Sequence, residues 1–431
     1  MTADRTPPDG VPGARRSARG IDTDVLVIGG GPAGSSVAIA LSRAGHRVHQ
    51  IEKRAEPRLK ACGDVLMPSA LSELDRLGVD VAPISGHALP AISVRIGSQS
   101  CRLRWPGPTG AAPGARAIRR DRLDEHLRDA ARAEGATVSM GHEALSPIID
   151  RGFVRGAHVR ADDEVRPLRS RFVVVADGAN SRFGRGLGTV REPDWPYAIS
   201  TRTYFASPRH AEDAMEVSVG IPDPSGTPIE GYGWVTPLGD GTVNVGINLL
   251  SSYRDVMSVN ALKLLDRFAW DVADRWQFDP DESLKAPTRF RIPLGGSVFP
   301  KMGPTFLVVG DAAGSANPLT GAGIDTALLT GRLAAEALAD ALSGGGPAGL
   351  QHYPTLLDES LGSYHQVGRL TDRFLGRPMV AKGLMAMGAR DPRLVGGALR
   401  IATNQLRTTS PGTPERLYHL ARALSRLAPR W

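Results

Sequence analysis

Apolar and polar positions near the start of the chain change period within a short span. In "IDTDVLVIGGGPAGSSVAIALSRAGHRVHQIEKR", Val25 to Ile28 form an unbroken apolar run, as expected of a buried strand. The chain then turns through Gly29, Gly31 and Gly34, and a helical pattern runs to Ala44, with Gly45 as its stop. "HRVHQIE" reads as a second strand ending in Glu52. Two later segments repeat the strand-then-acid form. Phe172 to Val175 ends in Asp177-Gly178, and Phe306 to Val309 ends in Gly310-Asp311, a glycine-punctuated loop and a long amphipathic helix. Between them the pattern becomes alternation. "YAISTRTYF", "AMEVSVGI" and "GYGWVTPLGDGTVNVGINLL" predict antiparallel strands, with Asp240-Gly241 as a hairpin turn. "AISVRIGSQSCRLRW" predicts another hairpin, with Cys101 as a packing residue. Near the end, Leu417, Leu420, Leu424 and Leu427 recur at helical spacing, with Arg416, Arg422, Arg426 and Arg430 on other faces.

The first segment has the form of a dinucleotide fingerprint: strand, GxGxxG, helix, strand and an acid about 20 residues on. Glycines let the backbone approach a pyrophosphate, and the helix N-terminus, at Ala33, offers free N–H groups and a positive dipole end. Glu52 would bind ribose hydroxyls, and Lys53 beside it belongs to the same cofactor contact. The fingerprint alone does not separate NAD from FAD. Asp177, Gly178 and Asp311 add acids and turns at strand carboxyl ends, where open α/β sheets bind ligands. Asp311 can take a ribityl hydroxyl, and the amides of Gly321 to Ile324, Gly323 included, would face a flavin.

Composition narrows the class. With 431 residues and 41% hydrophobic content the chain can fold as two or three domains. Two cysteines make neither a disulfide framework nor a Cys-based zinc site, which fits a reducing, cytoplasmic setting. No apolar run reaches membrane-spanning length. Residues 1–20, rich in Pro, Gly and charge and including Arg15, Arg16 and Arg19, lack an apolar signal region and read as a disordered tail. The formal charge of +7 points to an anionic partner. A phosphate-bearing cofactor or an anionic bilayer fits it. Nucleic acid does not, because the arginines are scattered without interleaved aromatics.

The three anchors, in this order, resemble the FAD-dependent oxidoreductases of the aromatic-hydroxylase fold. Arg120, ahead of a helix in "IRRDRLDEHLRDAARAEGA", occupies the place of that fold's arginine near the flavin phosphates; it also reads as a plain surface arginine. "PRLKACGDVLMPSAL" is more specific. Pro57, Arg58, Lys60, Cys62, Gly63, Asp64 and Leu66 stand as in the geranylgeranyl reductase family. "GYGWVTPLGDGTVNVGI" and "GDAAGSANPLTGAGIDTALLTGRLAAE", with Pro318, look like that family's Tyr-x-Trp-x-Phe-Pro region and C-terminal flavin motif. "WPGP", Trp105 to Pro108, is similar to its actinobacterial menaquinone-reductase branch. The resemblance implies an α/β (α+β mixed) fold, a Rossmann-like FAD-binding domain (21–90, 112–190 and 286–345) with an inserted antiparallel-sheet substrate domain (91–111 and 191–285). A helical C-terminal region (346–431) follows. It places Cys62, Gly63 and Asp64 at the flavin. Three positions depart from the pattern: Thr236 for Phe, Glu230-Gly231 where proline is common, and Ala322 for a frequent glutamate.

The chemistry implied is saturation of isolated C=C bonds in a polyprenyl chain, a geranylgeranyl group or a menaquinone tail. Reduced FAD gives hydride while a proton reaches the other carbon, in a dry pocket. Cys62 is the first candidate for proton delivery or alkene positioning, and an inert buried thiol is its alternative. Tyr232 is the second candidate. Trp234, two residues on and on the same face, would line the slot, unless both aromatics are core. Electrons come from NAD(P)H or a donor protein. The basic Leu/Arg helix fits either a bilayer surface or ordinary packing, and the first would hold the enzyme on the inner face of the cell membrane. The rival reading is a monooxygenase or halogenase acting on an aromatic or polyketide substrate. Halogenases usually carry Trp-x-Trp-x-Ile-Pro, and this chain has Tyr232-x-Trp234-x-Thr236-Pro237. A flavoprotein that only binds isoprenoid is a third.

Overall fold

The computed structural model describes residues 21–56, 60, 62–107, 110–222, 229, 231–252, 256–375, 383, 386–388, 391–407 and 411–427. The predicted tail 1–20, Pro57, Arg58, Pro108, Glu230, Arg430 and the side chains of Arg426 and Leu427 lie outside what is described.

Among these residues the first sheet has eight strands. Thr137–Met140, Val48–Glu52, Thr23–Ile28 and Glu164–Val175 lie side by side and parallel. Val25 to Val27 and Val173 to Val175 are wholly buried, as strands covered on both faces must be. Phe306–Val308 adds to the other edge of Glu164–Val175, so all three sequence anchors end at one rim of one sheet. Helices Pro32–Arg43 and Ile324–Asp340 pack against each other. Gly331 permits their approach: a Cβ there would lie 2.4 Å from the Ala33 carbonyl oxygen.

The second sheet has seven strands, in the order Thr288–Pro293, Tyr197–Ala206, Thr242–Leu250, Gly231–Pro237, Ala214–Val219, Ala91–Ile96 and Gln99–Arg104. The predicted hairpin across Asp240-Gly241 is present, with Trp234 opposite Gly246. One face is covered by helix Ala261–Trp276. Its Phe268 sits over Gly233, whose Cβ would fall 2.4 Å from the ring. The other face is left to line a cavity. Thr288–Pro293 corrects a boundary: expected in the FAD-binding part, it pairs with Tyr197–Ala206 as the edge of this sheet. Alternation is weak in "TRFRIP", and edge membership was settled by the partner strand. Cys101 stands on the far edge strand, opposite Val94 and half-buried.

The C-terminal helices Ser363–Leu375, Pro392–Ala402 and Thr413–Leu427 pack on one another, and Pro392–Ala402 lies against the edge strand Gln99–Arg104 of the second sheet. Tyr364 and Asn317 tie them down: the Tyr364 hydroxyl donates to Ala402 O (2.8 Å), and Asn317 Nδ2 donates to the same carbonyl (2.9 Å).

Candidate active site

Where the two sheets meet lies a continuous cavity of about 1860 Å³. One end is the glycine turn. Gly31 caps helix Pro32–Arg43 with no side chain, so the first amides of the helix stay available. Gly29 holds φ +120°, and a Cβ there would lie 2.2 Å from Ala176 O. Gly29, Gly31, Ala33, Glu52 and Lys53 line the cavity. Glu52 stands at the end of its strand and accepts from Gly30 N (3.0 Å). Asp177 and Gly178 line the next stretch. Asp177 Oδ2 accepts from Phe183 N (3.2 Å), while Oδ1 is buried without a protein partner. Burial raises the Asp177 carboxyl, and it raises Asp311 too, against Arg120 and Lys60. Asp311, Gly321, Gly323 and Ile324 form the wall opposite.

An uncapped helix start, a strand-end acid and an orphan carboxylate oxygen suit a phosphate, a ribose and a hydroxylated chain respectively. The residues present therefore fit FAD. Four expected cofactor residues serve the frame instead, for none of them lines the cavity. Gly34 lets the turn close, since a Cβ would meet Gly29 O at 2.1 Å. Gly310 N donates to Thr330 Oγ1 (3.0 Å). Pro318 packs on Gly368, where a Cβ would lie 2.2 Å away.

Asp64 is the fourth. It is wholly buried, with φ +57°. Its carboxylate accepts from Arg120 N (3.1 Å), the Tyr204 hydroxyl (2.7 Å) and Asn244 Nδ2 (2.8 Å). It is a peg holding the Cys62 loop between the two sheets. Asn244 Nδ2 also donates to Cys62 O (2.8 Å), and Arg202 Nη2 to Lys60 O (2.6 Å). Sequence reasoning passed over Arg202, Tyr204 and Asn244. Polar residues at inward positions of alternating strands were the available signal.

Cys62 and Gly63 line the cavity. Burial pushes the thiol above its usual range, against the nearby Arg120 charge, so Cys62 is a neutral thiol at pH 7. Its sulfur accepts from Asp64 N (3.3 Å). Arg120 lines the cavity next to it, but its guanidinium makes two 3.0 Å hydrogen bonds to Asp124. Lys60 joins the same carboxylate at 3.1 Å. Burial raises Asp124, yet those two cations outweigh it and hold it ionised. Arg120 is thus an internal ion pair and not a surface residue. The i, i+4 spacing of Arg120 and Asp124 was legible on the helix.

Tyr232 and Trp234 both line the cavity, ring centroids 6.0 Å apart. The Tyr232 hydroxyl donates to Thr320 O (2.5 Å), which fixes the flavin-side loop. Trp234 Nε1 donates to Asn244 Oδ1 (3.0 Å). Its ring crosses Gly246 and lies 3.4 Å from where a Gly63 Cβ would be. Beyond Trp234 the wall is apolar: Ile92, Val94, Met215 and Val217.

The FAD binding domain family matches residues 22–237. A menaquinone reductase of Mycolicibacterium smegmatis is 34% identical over 386 residues, 88% of this chain and 91% of the relative. The chain belongs to the geranylgeranyl reductase family of FAD-dependent oxidoreductases. Digeranylgeranylglycerophospholipid reductase 1 of Methanopyrus kandleri, a second relative, is 32% identical, covering 75% of this chain and 82% of its own. Among solved structures, a geranylgeranyl bacteriochlorophyll reductase-like protein from Thermoplasma acidophilum superposes with TM-score 0.74 at 24% identity, over 94% of this chain and 99% of that one. The flavin-dependent brominase Bmp2 shares the fold at TM-score 0.69 and 20% identity, over 94% and 100%. In this member of the family, hydrogen bonds from Arg202, Tyr204 and Asn244 join the stretch Lys60 to Asp64 to the inserted sheet.

Proposed function

We propose that this flavoenzyme saturates isolated C=C bonds of a polyprenyl chain, a menaquinone tail or a geranylgeranyl group. The carrying observation is the continuity of the cavity from the dinucleotide turn, past Cys62 and Trp234, into the apolar slot. Bound FAD supplies hydride. The protein supplies the rest. Trp234 and the aliphatic wall hold an extended hydrocarbon and exclude water. Cys62 holds a proton at Sγ, and the Asp64 peg fixes the sulfur's position. Tyr232 keeps its hydroxyl on Thr320 and orients the loop beside it.

The reading includes a membrane surface. Leu417, Leu420 and Leu424 of the last helix are 57%, 58% and 53% exposed, while Glu415 and Tyr418 face inward. Leu417, Met387 and Leu394 are large exposed apolar side chains that also line the cavity. Arg393 and Arg416 lie exposed near them. An apolar rim with basic neighbours suits the interface of an anionic bilayer from which a prenyl tail could enter. No helix among the described residues is long and apolar enough to cross a membrane. A peripheral position on the inner face of the cell membrane fits these features.

The test is anaerobic incubation of the reduced holoenzyme with a menaquinone and, separately, a geranylgeranyl lipid. A mass gain of two without oxygen insertion is expected. Oxygen insertion into an aromatic substrate, with no gain on either lipid, would reject the reading.

A further inference from the structure

The cations lining the cavity fall into two groups. Lys60 and Arg120 are both tied to Asp124. Arg182, Arg185, Arg191, Arg289 and Arg291 also line it. Among the described residues none of these five pairs with a carboxylate. Four are exposed and Arg191 is half-buried. Arg191 is fixed by bonds to the carbonyls of Glu192 (2.8 Å) and Trp195 (2.7 Å). Its guanidinium lies 5.3 Å from the Tyr197 ring centroid, and that of Arg291 lies 4.3 Å from the same ring. Two like charges are thereby gathered on one aromatic ring with no acid between them. Such an arrangement is relieved by an anion.

Arg182 and Arg185 flank Phe183, whose N donates to Asp177, so this part of the arginine set lies on the cofactor's side of the cavity. Each double bond saturated consumes two electrons, which must arrive from outside the chain. Arginine forks match phosphate oxygens in pairs. A concave rim also suits a small molecule better than a protein face. We propose that this arginine rim is the docking site of the reductant, a phosphorylated nicotinamide dinucleotide, with Arg289 and Arg291 holding its phosphates. The proposal rests on the reductase reading above. In balance, NADPH gives one hydride to oxidised FAD and leaves as NADP⁺. The hydride passes to one alkene carbon, and a proton drawn from solvent, by way of the thiol, goes to the other.

The experiment compares holoenzyme with the variant Arg289→Ala/Arg291→Ala. Both residues sit exposed on an edge strand, so the fold should tolerate the change. The first probe is 2′,5′-ADP, measured by calorimetry; binding should weaken roughly 10- to 100-fold in the variant and fall with salt. The second is anaerobic flavin reduction by NADPH, whose half-saturating concentration should rise by a similar factor. Reduction by dithionite, and prenyl reduction by dithionite-reduced enzyme, should be unchanged. Wild-type holoenzyme that does not bind 2′,5′-ADP, or a variant that binds it equally well, overturns the proposal. So does loss of FAD from the variant, which would assign the rim to the resident cofactor. So does a flavin reduced only by an acidic electron-transfer protein. Dithionite-reduced wild type that leaves prenyl lipids untouched instead defeats the reductase reading, whatever the docking result.

Discussion

Asn244 and Asp64 meet across the junction of the two sheets, 2.8 Å from Nδ2 to Oδ2, in a contact neither partner shares with solvent. The same Asn244 side chain holds the Cys62 carbonyl and receives Trp234 Nε1. One amide therefore positions the thiol, its loop and the slot-lining aromatic together. Asn244→Ala would leave buried polar partners unpaired, a cost of about 1–3 kcal/mol. Urea unfolding should show that loss. Prenyl turnover should drop while flavin binding is largely kept. A variant as stable and as active as wild type would remove Asn244 from this role.

Cys62 carries the proton in the proposed reaction, so Cys62→Ala should bind and reduce FAD normally yet lose about 10²–10⁴-fold in single-turnover reduction of the prenyl substrate. The thiol's ordinary value is 9.0 and burial moves it upward. The proton-bearing form is then complete through neutral pH and is lost only as pH rises above about 9. The wild-type rate should be flat from pH 6 to about 9 and decline only above that. If the alanine variant stays within about tenfold of wild type, the thiol only shapes the pocket.

Asp311 faces the cavity at the rim of the parallel sheet, with Gly323 close enough that a Cβ there would lie 3.1 Å from Oδ1. Asp311→Ala should purify with most of its flavin lost. The ratio of visible to ultraviolet absorbance measures this directly, and full yellow occupancy would contradict the assignment.

The last helix must be tested without removing it. Truncation after Pro414 would strip away the inward-facing Glu415 and Tyr418 and disturb the body of the protein. The substitution Leu417→Ser/Leu420→Ser/Leu424→Ser changes only exposed apolar side chains. The partition onto anionic liposomes, read by co-sedimentation, should fall roughly 100-fold, since each of the three leucines buried in the interface contributes about 1 kcal/mol or more. Wild-type binding should weaken with salt. Binding indifferent to both would reject this helix as the anchor.

His365, on the helix Ser363–Leu375, is buried beside Gly296. Burial, with Arg369 and Lys301 adding, lowers it to about 3 from 6.5. A His depressed in the folded state stabilises the fold above the unfolded value and loses that contribution as pH falls. The window opens at 6.5 and runs down toward 3. Between pH 6.5 and 5 the loss should be about 2 kcal/mol, and it should be missing in His365→Gln. Urea midpoints at pH 7.5 and 5 for both proteins measure the difference.

Much of this was legible in one dimension. The glycine turn, the strand-end acids and the alternating strands are local rules, and local rules survive without knowledge of neighbours: Gly29 must be glycine because of its own backbone angle. The Lys60 to Asp64 block was recognisable too, but not what Asp64 does. A carboxylate next to a flavin and a carboxylate pegging a loop look alike in sequence. The difference lies in Tyr204 and Asn244, 140 and 180 residues away. Arg120 lines the cavity, and its partnership with Asp124 and Lys60 emerged only from packing.

The sequence by itself determined the dinucleotide turn, the family and the positions of Cys62, Tyr232 and Trp234 in their segments, because backbone conformation and side-chain period are short-range properties. Only the tertiary structure decided that Thr288–Pro293 joins the second sheet, that Leu417, Leu420 and Leu424 point outward, and that five arginines without carboxylate partners among the described residues line one cavity. Each of these depends on which distant segment covers which face. Burial and charge pairing are set by neighbours in space, and the chain alone does not state who those neighbours are.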